Sequence, residues 1–160
     1  MKKKKMNWGE AKQMLREFKT LPPEEQKFFA KLNNVSVSDV ESRLQTYCYY
    51  ICRLSSAQKK TFRNEIERMS REEIEAVERV NNDSIDHIIE FLDEEIAYYD
   101  NYMKKKRAFN KAWEVRGQEV INQLIEEGKI QVHEGYMTTD IFLIKALADA
   151  QQELRKEFGL

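Results

Sequence analysis

Apolar positions recur at spacings of three and four from residue 8 to residue 125, and no sustained alternation interrupts them, so the pattern predicts a succession of helices. Trp8, Ala11, Met14, Leu15 and Phe18 share one helical face, and Asn7 with Glu10 has the form of a capping box. Pro22 and Pro23 suit the first turn of a second helix, and Glu24 and Glu25 suit its positive end. Phe28, Phe29 and Leu32 are expected as its buried side, with Asn33 and Asn34 as its stop. Ser36 with Asp39 and Ser38 with Glu41 are both capping pairs, so a third helix is expected from near Ser38 with Val40, Leu44, Tyr47, Cys48 and Ile51 inward. Ser55 opens a fourth carrying Phe62, Ile66 and Met69, and Ser70 with Glu73 opens a fifth carrying Ile74, Val77 and Val80. A faint echo of Leu21 to Phe29 in Leu54 to Phe62 reads as shared capping grammar, not as a duplicated repeat.

The longest uninterrupted stretch runs from Ser84 to Arg116 without Gly or Pro, capped by the polar run Asn81 to Ser84. Ile85, Ile89, Leu92, Ile96, Tyr99 and Met103 follow one another at alternating steps of four and three, the a/d seam of a helix expected to meet another chain. Gly117 is the first possible break. Val120, Ile121, Leu124 and Ile125 resume the apolar face up to Gly128, a C-terminal stop. Lys129 to His133 alternates like a short extended segment, and Glu134 to Tyr136 reads as its turn. A last helix is expected from about Thr139, with Leu143, Leu147, Ala150, Leu154 and Phe158 on one face. The fold class is therefore all-α: a small N-terminal helical bundle over residues 1–82, then a long helical hairpin and C-terminal helix over residues 83–160 that serve oligomerisation.

Composition supports this and adds charge. Five Gly and two Pro in 160 residues leave little turn chemistry for a sheet protein, and 34% charged residues suit exposed helix faces. The net charge of −1 hides blocks of opposite sign. Residues 70–100 hold eleven acids against two Arg, whereas residues 104–116 hold six Lys/Arg against one Glu. Such blocks imply partners, or copies of the same chain, met by charge matching. The basic start Lys2 to Lys5 lacks the apolar core of a signal peptide, and no run approaches membrane-spanning length, so a cytoplasmic protein without a membrane partner is expected.

The candidate chemistry is sparse. Cys48, Cys52, His87 and His133 are the only soft ligands, but a helical four-residue Cys spacing is not that of a structural zinc site, and buried thiols are the expectation. Glu75 and Glu78, then Glu90 and Asp93, place carboxylates at i,i+3 on two helices, where they could converge on Mg²⁺ to hold a nucleotide's phosphates. These pairs resemble the ExxE and ExxD motifs of the all-α nucleotide pyrophosphohydrolases of the MazG type, a resemblance that implies Mg²⁺-dependent release of pyrophosphate from a nucleotide as the alternative function. Neither a Gly-rich phosphate loop, nor a GxSxG elbow, nor a Cys–His dyad can be read, so binding outranks catalysis and no cofactor is implied. Lys59, Lys60 and Arg63, and separately Lys104, Lys105, Lys106 and Arg107, are the candidate contacts to nucleic-acid phosphates. Tyr47, Tyr49 and Tyr50, and Tyr98, Tyr99 and Tyr102, divide between helix faces and are expected mostly to pack.

The segment Leu124 to Gly128, followed by Val132, Gly135 and Tyr136 and then by Ile144 to Leu160, resembles the ending of bacteriophage small terminase subunits of the HK97-like type. In that family a helical hairpin rich in Asp, Tyr and apolar residues precedes a glycine-marked turn and a final helix. The resemblance covers roughly residues 83–160. It implies a homo-oligomeric adaptor that recognises DNA and delivers it to a large terminase subunit without chemistry of its own. A small phage-type regulator or inhibitor binding one host protein is the remaining expectation from the helical architecture.

Overall fold

A computed structural model describes residues 6–130, 132–133, 136–137 and 141–160. The fold is all-α. The described helices are α1 (Trp8–Thr20), α2 (Pro23–Leu32), α3 (Val37–Tyr49), a short 3₁₀ turn (Ile51–Arg53), α4 (Ser56–Ile66), α5 (Arg71–Asn81), α6 (Ile85–Glu126) and α7 (Ile141–Phe158). Between α6 and α7 lies a minimal antiparallel pair, β1 (Val132–His133) and β2 (Tyr136–Met137), with Val132 opposite Met137.

Helix starts are written by side chains. Asn7, Ser36, Ser55 and Ser70 each accept a hydrogen bond from the backbone N–H three residues on, while Glu10, Asp39, Gln58 and Glu73 return the bond to the cap's own N–H. Each exchange satisfies two donors that a helix end leaves without partners. Ser36, not Ser38, is the cap of α3. Helix ends are equally local. Val35, Asp83, Lys129 and Leu160 each donate a backbone bond to the carbonyl five residues back, at Ala30, Glu78, Leu124 and Arg155. The residue just before each donor has a left-handed conformation: Asn34, Asn82, Gly128 and Gly159. Asn and Gly are the residues that tolerate it, so these four ends are Schellman-type stops.

The chain forms two compact units, Met1–Ile96 and Ala97–Leu160. Their boundary lies inside α6, past Ile96, and not at residues 82 and 83. In the first unit α3 is the central helix, packed by α1, α2 and α5. Its core joins Leu15 and Phe18 of α1, Leu44, Cys48 and Tyr49 of α3, Phe62 and Ile66 of α4, Val77 of α5, and Ile88 and Leu92 of α6. Burying a side chain such as Phe62 or Leu92, both essentially inaccessible, stabilises the fold by about 1.5–3 kcal/mol. The expectation for α2 is corrected: Ala30 is its buried residue and Phe29 is half-buried, while Phe28 and Leu32 are 64% and 67% exposed. A ten-residue helix turned about 100° per residue cannot bury Phe28 and Ala30 together, and Ala30 lets α2 lie close to its neighbours.

The break between α3 and α4 is tied to α5 by Asn81. Its side-chain amide donates to the Tyr49 and Val77 carbonyls, both at 2.9 Å, and its oxygen accepts from the Ile51 N–H at 3.1 Å. Trp8 adds a second tie, from its indole N–H to the Cys48 carbonyl at 3.0 Å.

In the second unit α6 and α7 run antiparallel. Phe109 meets Phe158 edge-on at 6.2 Å, and Leu124 joins Leu143 and Ile130 in one buried cluster with Val120, Ile121 and Leu147 at its margin. Helix α6 is 42 residues long, about 63 Å at 1.5 Å per residue. It does not break at Gly117, which is buried with Trp113 3.7 Å from where a Cβ would lie. A single glycine costs a long helix only about 1 kcal/mol. The flanking hydrophobic contacts outweigh that cost.

Candidate functional site

The seam assigned to another chain is, in its first part, occupied by the chain itself. Leu92 is fully buried in the core of the first unit, and Ile85, Ile89 and Ile96 pack half-buried against that core. The correction has a physical reason already present in the residues. Ile88, omitted from the a/d seam, is buried as well. With it, residues 85, 88, 89, 92 and 96 form the broad stripe of a helix seated on a globular core, not the narrow seam of a coiled coil. Tyr99 and Met103 belong to the second unit, where Tyr99 is exposed and Met103 half-buried.

In the first basic group Lys59 and Arg63 are engaged within the chain. Lys59 Nζ lies 2.8 Å from Glu95 Oε2 and over the Phe91 ring at 5.3 Å. Arg63 holds Asp93 with two bonds, at 2.8 and 3.3 Å, and Glu67 with a third at 3.1 Å. The bond to Asp93 chiefly raises the Arg63 pKa, so it stays charged and committed to α6. A phosphate would have to displace those carboxylates. Lys60 beside them is exposed.

The second basic group is different. Lys104, Lys105, Lys106 and Arg107 are all exposed on α6, and none forms an ion pair among the described residues. Four consecutive helical residues splay over about 300°, so the run is a collar and not a stripe. The stripe comes from a residue outside the run. Lys104, Arg107 and Lys111, at steps of three and four, share a face roughly 140–160° from Phe109 at 100° per residue. Lys111 is exposed too. Just before this face, Tyr98 and Tyr102 lie within about 20° of the Phe109 direction at the same pitch. They are 74% and 41% exposed, because the α6–α7 register brings α7 to its end at Phe158 opposite Phe109.

The acidic pairs do not converge. Glu75 bonds Arg71 at 3.1 Å, Glu78 accepts the Ile85 N–H at 2.9 Å and so caps α6, and Asp93 is held by Arg63. Glu90 is exposed on α6. Among the described residues no three of His, Cys, Asp and Glu gather as a metal-holding group. Cys48 is buried and Cys52 exposed, and burial pushes the Cys48 thiol up to about 11. His87 Nδ1 lies 3.1 Å from Asp83 Oδ1, whereas the surroundings of His133 fall outside the described residues. Of the tyrosines, Tyr47 donates to the Met6 carbonyl and Tyr49 packs on Phe62 at 6.1 Å. Among the described residues no helix is long and apolar enough to cross a membrane. No protein-family model, curated protein or solved structure matches this chain.

Proposed function

We propose that this protein is a non-catalytic helical adaptor that self-associates through its second unit and contacts DNA phosphates from the same unit. The observation that carries the proposal is the stretch of α6 from Tyr98 to Lys111, where exposed tyrosines adjoin cations that have no ion pair among the described residues. Tyr98, Tyr99, Tyr102 and Met103 supply an amphipathic surface of the kind enriched at interfaces. Lys104, Arg107 and Lys111 supply charge along one helix face, which is all that sequence-independent phosphate contact needs. The resemblance of residues 83–160 to phage small terminase subunits supports placing such an adaptor in DNA packaging, with a large terminase subunit as its protein partner. Light scattering and fluorescence anisotropy with a labelled duplex test the reading together. It predicts a homo-oligomer, salt-sensitive binding, and loss of binding in the triple variant Lys104→Gln, Arg107→Gln, Lys111→Gln. A monomer at all concentrations that ignores DNA at low salt sinks it.

A second reading, a regulator that docks one protein partner, is favoured by Phe28 and Leu32, which stand exposed one turn apart on α2. Apolar anchors at i and i+4 are how a helix enters a partner's groove. This reading predicts stoichiometric co-purification that Phe28→Ser with Leu32→Ser abolishes, with no DNA affinity.

A further inference from the structure

A pocket of about 290 Å³ opens in the first unit where α1, α3, α4 and the start of α5 meet. Its lining carries the cations Lys12, Arg16, Lys19 and Arg68 against the acids Glu65 and Glu73. Both acids are already engaged. Glu65 pairs with Lys12, and Glu73 accepts the Ser70 N–H at 2.8 Å in the cap of α5. Lys19 reaches Glu41 at 3.6 Å. Among the described residues the side chains of Arg16 and Arg68 have neither a hydrogen bond nor an ion pair, so the pocket lining holds two uncommitted guanidinium groups.

Tyr49 supplies the neutral donor. It lines the pocket, is 7% exposed, and its hydroxyl makes no hydrogen bond among the described residues. Among the described residues no buried side-chain oxygen lacks a partner, so the Tyr49 hydroxyl keeps some access to solvent. Burial pushes the phenol up to about 12, which keeps its proton in place to donate, and the Arg16 charge bears on both this phenol and the Cys48 thiol behind it. Leu15 and Met69 give the remaining wall an apolar surface.

We propose that this pocket binds a small organic phosphate monoester, with the phosphoryl oxygens held by Arg16, Arg68 and the Tyr49 hydroxyl and the organic group resting on Leu15 and Met69. Planar guanidinium forks match phosphate oxygens in bidentate fashion, and a phosphate monoester is close to a dianion at neutral pH. The lining's surplus of two cations matches that charge. The volume sits at the small end of ligand pockets, roughly 300 Å³ upward, which suits a mononucleotide-sized molecule and excludes a polymer.

Nuclear magnetic resonance titration of the full chain with adenosine monophosphate, adenosine, inorganic phosphate and succinate tests this. The monophosphate is expected to shift the Arg16, Tyr49 and Arg68 region saturably and at least tenfold more tightly than adenosine, with inorganic phosphate competing. Arg16→Gln with Arg68→Gln, at two exposed positions, is expected to weaken it at least tenfold without lowering the melting temperature. Tyr49→Phe, which keeps the ring packing on Phe62, should weaken it less. The Lys104, Arg107, Lys111 triple variant should bind the monophosphate unchanged, which separates this site from the DNA surface. Adenosine or succinate binding as tightly as the monophosphate, no saturation at millimolar concentration, or full affinity in the double arginine variant each overturns the proposal.

Discussion

Asp39 shows how much one side chain does in a chain so dependent on helix caps. Its carboxylate receives the Ser36 hydroxyl at 2.6 Å and the Ser36 N–H at 3.2 Å, and these bonds hold its pKa below the ordinary 3.8. A carboxyl with a depressed folded value stabilises the fold fully above its unfolded value, and that contribution is lost as pH falls through the folded value. The gap in denaturation midpoint between the native chain and Asp39→Asn is therefore expected at pH 7 and should close below pH 3.8. Cysteine chemistry separates just as sharply. Cys48 is buried with a thiol raised to about 11, whereas Cys52 is exposed. Because the thiolate is the nucleophile, iodoacetamide at pH 8 should modify Cys52 alone in the folded protein and both in denaturant, as counted by intact mass. Gly117 offers a gain. A Cβ there meets Trp113 at 3.7 Å, an ordinary contact, so Gly117→Ala should stabilise by about 0.5–1 kcal/mol and raise the melting temperature by about 1–4 °C.

Among the elements, the decisive question is what the first part of α6 covers. If Leu92 is core, Leu92→Ala should cost about 2–5 kcal/mol at every protein concentration, measured by urea unfolding. If it served an oligomer contact, the loss would grow with dilution. Tyr99→Ala, at an exposed position, should leave the stability of the isolated subunit nearly unchanged. This element also marks the limit of what the sequence disclosed. Caps at Asn7, Ser55 and Ser70 were legible because a capping box is a short-range exchange that needs no knowledge of the fold. The last helix was legible because Leu143, Leu147, Ala150 and Leu154 recur at helical spacing, a local pattern that needs no knowledge of the fold. The destination of an apolar stripe is a long-range fact, and the same Ile and Leu spacing serves a second chain or the chain's own bundle. Ile88 was the available signal, since it widens the stripe. Asn81 reads in the sequence as part of the cap of α6, and its actual role left no signal, because its three bonds join backbone groups of α3, the 3₁₀ turn and α5 that only the fold brings together. For the candidate site, the Lys104 to Arg107 run was visible in the sequence. The engagement of Lys59 and Arg63 by α6 carboxylates was not, because those pairs are thirty or more residues apart.

For the whole molecule, the proposed DNA contact makes a quantitative demand on salt dependence. Each phosphate neutralised contributes about −0.9 to the slope of log K against log salt. A rigid helix offers one duplex the stripe Lys104, Arg107 and Lys111, since Lys105 and Lys106 lie on other sides of the collar by the 100° turn per residue. One copy per site should therefore give a slope of roughly −3, and each single Lys or Arg to Gln change in the stripe should flatten it by about 1, while Lys105→Gln leaves it unaltered. An assembly that engages the duplex with several copies should steepen the slope in multiples of that value. The charge-removing variants then act on every copy at once. Measured beside the mass in solution, the slope thus reports how many subunits touch the DNA. A slope near −3 from an oligomer means that one copy binds while the others hold it in place. A slope that is flat, or indifferent to the three stripe substitutions, removes α6 from the DNA contact altogether.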